Sequence, residues 1–126
     1  MKNNKYYRVY ADINLDAIVK NVDNLMALTK ENTGALAVVK ADGYGHGDVA
    51  VAKAVAQKVT GYAVATLDEA VNLRENGVKK PILVLGYVDP YEFDILVSHE
   101  ITATVFDVET AQLLADAARV QKKQAH

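Results

Sequence analysis

The chain has 126 residues, 51% of them hydrophobic and 24% charged, which is enough apolar surface for one packed core and too short for two domains of about 150 residues. Its 14 basic and 16 acidic residues leave a formal charge of −2, which excludes the basic field needed to grip a nucleic-acid backbone. The absence of cysteine removes disulfides, thiolate zinc sites and cysteine nucleophiles, and fits a reducing compartment.

Residues Tyr6 to Ile13 alternate, with Tyr7, Val9, Ala11 and Ile13 on one face, which predicts a half-buried strand. From Leu15 the apolar positions Leu15, Ile18, Val19, Val22, Leu25 and Met26 fall at helical spacings behind Asn14, a candidate N-cap. The run ALAVVKA, Ala35 to Ala41, reads as a strand buried on both faces, and a glycine-rich segment follows it. Asp48 is a candidate cap for a helix carrying Val49, Ala52, Val55, Ala56 and Val59 on one stripe, with Gly61 marking the turn beyond.

The pattern then repeats. Tyr62 to Thr66 is a short buried strand, Thr66 and Glu69 form a capping box, and Gly77 stands where a helix-ending glycine belongs. Pro81 precedes the apolar run Ile82 to Tyr87, and Asp89-Pro90 starts a short helix with Phe93, Leu96 and Val97. Ile101 to Phe106 is a last strand, and Asp107 caps a helix with Ala111, Leu114, Ala115 and Ala118 on one face.

Strands beginning near residues 35, 62, 81 and 102, each followed by one helix, have the βαβ rhythm of a parallel sheet. The predicted class is α/β: parallel βα repeats forming about half of a TIM-type (β/α)8 barrel, preceded by an N-terminal strand and helix. A whole barrel needs about 250 residues. A flavodoxin-like doubly wound sheet is the alternative that hydrophobic pattern alone leaves open. No apolar run approaches the ~20 residues of a membrane helix, and the polar start MKNNKYYRVYADI lacks the apolar stretch of a secretion signal. A cytoplasmic protein without membrane or nucleic-acid partners is expected.

Lys40 is the most informative residue, because it closes an apolar strand and runs directly into Ala41-Asp42-Gly43-Tyr44-Gly45-His46-Gly47. Desolvation favours the neutral amine of a lysine, the form that condenses with an aldehyde to a Schiff base. The carboxyl end of a parallel strand is where α/β folds gather their active-site loops. The glycines let a phosphate approach the backbone, the Tyr44 hydroxyl can donate to it, and the helix beginning at Asp48 directs its positive end the same way. A strand-end lysine reaching out to water, beside a glycine-rich turn, is the plainer reading of the same residues.

VVKADGYGHG resembles the pyridoxal phosphate attachment motif of the alanine racemases, the fold type III family. The resemblance continues in RVYADINLDAIVKNV, in YAVATLDEAVNLRENGVKKPILVLGY and in ITATVFDVETAQLLADAA, so it extends from about Tyr7 to about Ala118. Gly43 departs from it, since alanine or asparagine is the commonest residue there.

The resemblance implies that Lys40 is catalytic, binding pyridoxal 5'-phosphate covalently and acting as the base on one face of the substrate, and that Tyr44 is a phosphate ligand. It also implies alanine as substrate, D-alanine for peptidoglycan as product, and a homodimer in the full-length form. The second acid/base is, in the family, a tyrosine of the partner subunit's C-terminal domain, and no position here matches its motif. The arginine facing the pyridine nitrogen and the later phosphate loop also lie outside the matched region. The chain is therefore expected to be the N-terminal part of a racemase barrel domain, inactive alone, and a dimer or a poorly behaved monomer because its outer strands are unpaired. A non-catalytic pyridoxal phosphate-binding barrel protein is the alternative function, and a piece that folds without binding cofactor is a third.

His46, between glycines, reads as exposed and structural, and Asp42 as a turn former. His99 and His126 have no ligand partner at metal spacing, so no metal site is expected. Tyr6, Tyr7, Tyr10, Tyr62, Tyr87 and Tyr91 read as half-buried strand or surface aromatics.

Overall fold

The computed structural model describes residues 9–126. Of the strand expected over Tyr6 to Ile13, residues 6–8 lie outside the described residues, and residues 9–13 are irregular. Helix α1, Leu15–Met26, starts where expected, because Asn14 Oδ1 accepts the Ala17 amide at 3.0 Å and satisfies one of the free donors of the first turn. Its residues Leu15, Ile18, Val19 and Val22 lean on the core without being fully buried.

Four strands form one parallel sheet: β1 Leu36–Val38, β2 Gly61–Val64, β3 Ile82–Val84 and β4 Thr102–Ala103. They lie in the order β1-β2-β3-β4, with Leu36 opposite Gly61, Tyr62 opposite Ile82 and Leu83 opposite Thr102. Each crossover moves the chain one strand along and never reverses, which is the order of a barrel and not of a doubly wound sheet with a switch point. Between β1 and β2 lie α2, Lys40–Gly45, and α3, Asp48–Ala54. Helix α4, Leu67–Glu75, follows β2; a 3₁₀ turn, Pro90–Glu92, and α5, Phe93–Ser98, follow β3; and α6, Val108–Val120, follows β4.

One face of the sheet is covered. Tyr62, Val64, Ile82 and Val84 pack there against Val51, Ala52 and Val55 of α3, Leu73 of α4, Phe93, Leu96 and Val97 of α5, and Leu114 of α6. Each large apolar side chain so buried contributes about 2 kcal/mol. The other face is open, and the sheet does not close. Leu36 and Val38, 48% and 42% exposed, alternate with the more buried Ala37 and Val39. The expectation of a strand buried on both faces is therefore corrected: β1 is an edge strand whose inner face has no cover.

The helix ends follow local chemistry. Thr66 Oγ1 accepts the Glu69 amide at 3.4 Å while Glu69 Oε2 accepts the Thr66 amide at 3.3 Å, the expected capping box. At the other end of α4 the Gly77 amide donates to Arg74 and the Val78 amide to Leu73, a Schellman motif that needs the φ of +86° at Gly77. Asp89 accepts the Tyr91 amide and Asp107 the Thr110 amide, as expected. Helix α3 is shorter than its stripe suggests and stops at Ala54, because the Ala52 carbonyl accepts the buried Tyr62 hydroxyl at 2.7 Å. Tyr62 is 1% exposed, a core residue where a half-buried one was expected. No helix among the described residues is long and apolar enough to cross a membrane.

Candidate active-site loop

The ladder between β1 and β2 runs one residue past β1, with the Val39 amide donating to the Ala63 carbonyl at 2.9 Å. Lys40 follows directly, half-buried at the carboxyl end of the strand. The next four residues, Ala41, Asp42, Gly43 and Tyr44, have φ of 51°, 53°, 60° and 57°, so α2 is a single turn wound left-handed. For the three that carry a Cβ this costs about 1–2 kcal/mol each, and the surrounding structure must hold them there.

It does so with backbone and side-chain bonds. The Gly43 amide donates to Val39 at 2.9 Å and the Gly47 amide to Asp42 at 2.8 Å. The Ala41 amide donates to Glu69 Oε1 at 2.7 Å, and the Asp48 amide to Asp42 Oδ1 at 3.2 Å. His46 Nδ1 lies 3.0 Å from the Gly43 carbonyl and 3.1 Å from that of Tyr44. Both partners are acceptors, so Nδ1 carries the proton, and exposed His46 is a structural clasp as expected. Gly43 is buried against the start of α3, where a Cβ would stand 3.2 Å from the Asp48 nitrogen.

The start of α3 differs from the expectation. Gly47, not Asp48, is the N-cap, and Asp48 is the first helical residue. The amides of Asp48 and Val49 at the start of α3 donate to the carboxylates of Asp42 and Asp48, at 3.2 and 2.6 Å, so two of the free first-turn donors are satisfied from within the loop. The other oxygen of Asp48 accepts Asn72 Nδ2 at 2.8 Å, which ties the loop to α4.

Among the described residues the Lys40 ammonium has no ion pair. Tyr44 is 58% exposed. A primary amine can condense with an aldehyde and a phenol can donate to a phosphate, and these two groups lie four residues apart in sequence at the end of β1. Tyr87 and Tyr91 are exposed, as expected, and no cluster of metal-ligating side chains occurs among the described residues. The contribution of α4 has no local signal in the sequence: Glu69 reads as a capping residue, but nothing near it marks its reach to Ala41 or that of Asn72 to Asp48.

A parallel βα sheet in barrel order, open on its inner face and carrying a lysine loop at its first strand end, is the architecture of part of a (β/α)8 enzyme barrel. Residues 13–126 match the family model of the alanine racemase N-terminal domain, and the chain belongs to that family. It is 40% identical to alanine racemase 1 of Oceanobacillus iheyensis over 99% of this chain and 34% of that protein. The alanine racemase structure of Clostridium difficile 630 superposes with a TM-score of 0.87 at 41% identity, over 90% of this chain and 30% of that one. The histidine racemase of Leuconostoc mesenteroides subsp. sake superposes with a TM-score of 0.79 at 28% identity, over 88% of this chain and 30% of that one. The chain thus spans about a third of the length of the relatives it matches.

Proposed function

We propose that residues 1–126 are the N-terminal part of the barrel domain of a pyridoxal 5'-phosphate-dependent alanine racemase. In this reading Lys40 binds the cofactor covalently and Tyr44 donates to its phosphate. When bound, the cofactor supplies an electron sink for the charge left as the substrate Cα loses its proton. Lys40 takes or returns that proton on one face, and the left-handed turn fixes the backbone from which its side chain extends. The acid/base for the opposite face comes from outside these residues, so the 126 residues alone do not turn over. The whole protein acts as a homodimer in the cytoplasm, and its D-alanine serves peptidoglycan. Alanine is assigned on the family, not on a pocket for the substrate side chain: the histidine racemase is similar over this same segment.

The observation that supports this reading best is the placement of Lys40 at the carboxyl end of β1, directly before a strained turn that exposes Tyr44. The test is a titration of the chain with pyridoxal phosphate, then borohydride reduction and peptide mapping. Label concentrated on Lys40, and lost in Lys40→Ala, is expected, with no racemisation of alanine by the chain alone. Label spread evenly over the lysines would overturn the assignment of Lys40.

A further inference from the structure

We infer that Glu69 is a positioning residue for Lys40, acting through the peptide plane that joins Lys40 to Ala41. This inference rests on the reading of Lys40 as the cofactor lysine. Glu69 Oε1 accepts the Ala41 amide at 2.7 Å, across 28 residues of sequence. Its other oxygen accepts the Ala65 amide at 2.7 Å and the Thr66 amide at 3.3 Å, at the carboxyl end of β2. One carboxylate therefore bridges the ends of two adjacent strands, and one of those ends carries Lys40. The Ala41 N–H lies in the same rigid plane as the Lys40 carbonyl and Cα, so fixing its direction fixes the backbone from which the Lys40 side chain leaves.

This contact sits where the backbone needs it. Ala41 is the first of the four left-handed residues, and an alanine has no intrinsic reason to adopt φ of 51°. One turn further along α4, Asn72 holds Asp48 at the far end of the loop, so α4 restrains the loop at both ends. A capping box needs only the bond to Thr66, whereas the bond to Ala41 uses an oxygen that capping leaves free.

Both oxygens of Glu69 receive N–H donors, so a carboxamide cannot substitute: the Gln amide nitrogen would face a donor. Glu69→Gln is compared with Thr66→Ala, which removes the hydroxyl of the cap and leaves the carboxylate in place. Two readouts are taken on the full chain. The first is hydrogen exchange of the Ala41 amide relative to Val64, whose rate reports the integrity of the sheet. Glu69→Gln is expected to raise that ratio about tenfold and Thr66→Ala to change it less than about twofold, the first being the loss of one charge-assisted bond. The second is the borohydride-fixed pyridoxal phosphate label on Lys40 relative to exposed Lys53 and Lys79, expected to fall severalfold in Glu69→Gln and to hold in Thr66→Ala. An unchanged exchange ratio in Glu69→Gln would overturn the bridge itself. A raised ratio with unchanged labelling of Lys40 would overturn its positioning role. A wild-type chain without preference for Lys40, yet with Ala41 exchange responding to Glu69→Gln, would instead overturn the cofactor reading and leave the bridge standing.

Discussion

Arg74 Nε donates to the carbonyl of His99 at 2.9 Å and so joins the end of α4 to the end of α5. The same guanidinium reaches the carbonyls of Glu100, Val78 and Lys80 at 2.7–2.9 Å, all left unpaired by helix ends or turns. Burial pulls the guanidinium below its ordinary pKa, partly offset by the Glu100 carboxylate, and it stays cationic at every accessible pH. Arg74→Lys keeps the charge but loses the planar fork that spans four acceptors. We expect a loss of about 2 kcal/mol in urea unfolding at unchanged m-value, and an unchanged midpoint would show that the carbonyls find other partners.

Asp107 gives a pH dependence with a definite sign. The backbone amide of Thr110, then its hydroxyl, hold the carboxyl below the ordinary aspartate range by bonding to the charged form. A carboxylate whose folded value is depressed stabilises the fold fully above its unfolded value, and that contribution is lost as pH falls through the folded value. The Thr110 amide resonance should therefore titrate with an inflection below that of a free aspartate, and α6 should fray at its start over the same range. Asp107→Asn keeps a cap and should remove this inflection; its persistence would assign the titration to another group.

How far these features can be read from sequence depends on how far their causes lie along the chain. The caps at Asn14, Thr66, Asp89 and Asp107 are legible because cap and helix are adjacent. Lys40 is legible because strand end and glycine loop are contiguous. The left-handed turn is not, since Ala41 and Tyr44 state no such preference and one of its restraints comes from Glu69, 28 residues away. Nor does an apolar run reveal that Leu36 and Val38 face an open side, because hydrophobicity reports what a strand could bury and not whether a neighbour covers it. Asp48 was displaced by one position as a cap because Gly47, at φ +87°, takes that place.

The end of α5 carries removable strain. Glu100 stands at the same position after its helix that Gly77 occupies after α4, with φ +54° and the Ile101 amide bonded back to Leu96 at 3.1 Å. Its side chain is exposed and lies 3.6 Å from Lys123, an exposed pair of little energetic weight. Glu100→Gly should relieve the Cβ clash and stabilise the chain by about 0.5–1 kcal/mol after the added freedom of the unfolded state. Gly77→Ala should destabilise by about 1 kcal/mol, from conformation alone, because its Cβ would meet nothing within 4 Å. Opposite signs in denaturant midpoints are the expected result, and two losses would refute the strain at Glu100.

Tyr62 ends α3 through a bond no periodicity contains. Its hydroxyl donates to the Ala52 carbonyl at 2.7 Å, while the Ala56 amide turns to Lys53 at 3.4 Å, so the hydroxyl replaces the helical partner that Ala52 would otherwise have. Tyr62→Phe keeps the packing and leaves that carbonyl buried without its donor, for an expected loss of about 1–2 kcal/mol. Burial raises the phenol above its ordinary pKa. The neutral form is thus favoured in the fold, so this contribution is whole below the unfolded tyrosine value and is lost as pH rises through the folded one. Urea titrations of the chain and of Tyr62→Phe should therefore differ at neutral pH, with the advantage of the tyrosine chain falling as pH rises through the phenol range. A constant difference across that range would mean that the phenol titrates alike in the folded and unfolded chain, and no difference at neutral pH would mean that the hydroxyl bond contributes nothing to stability.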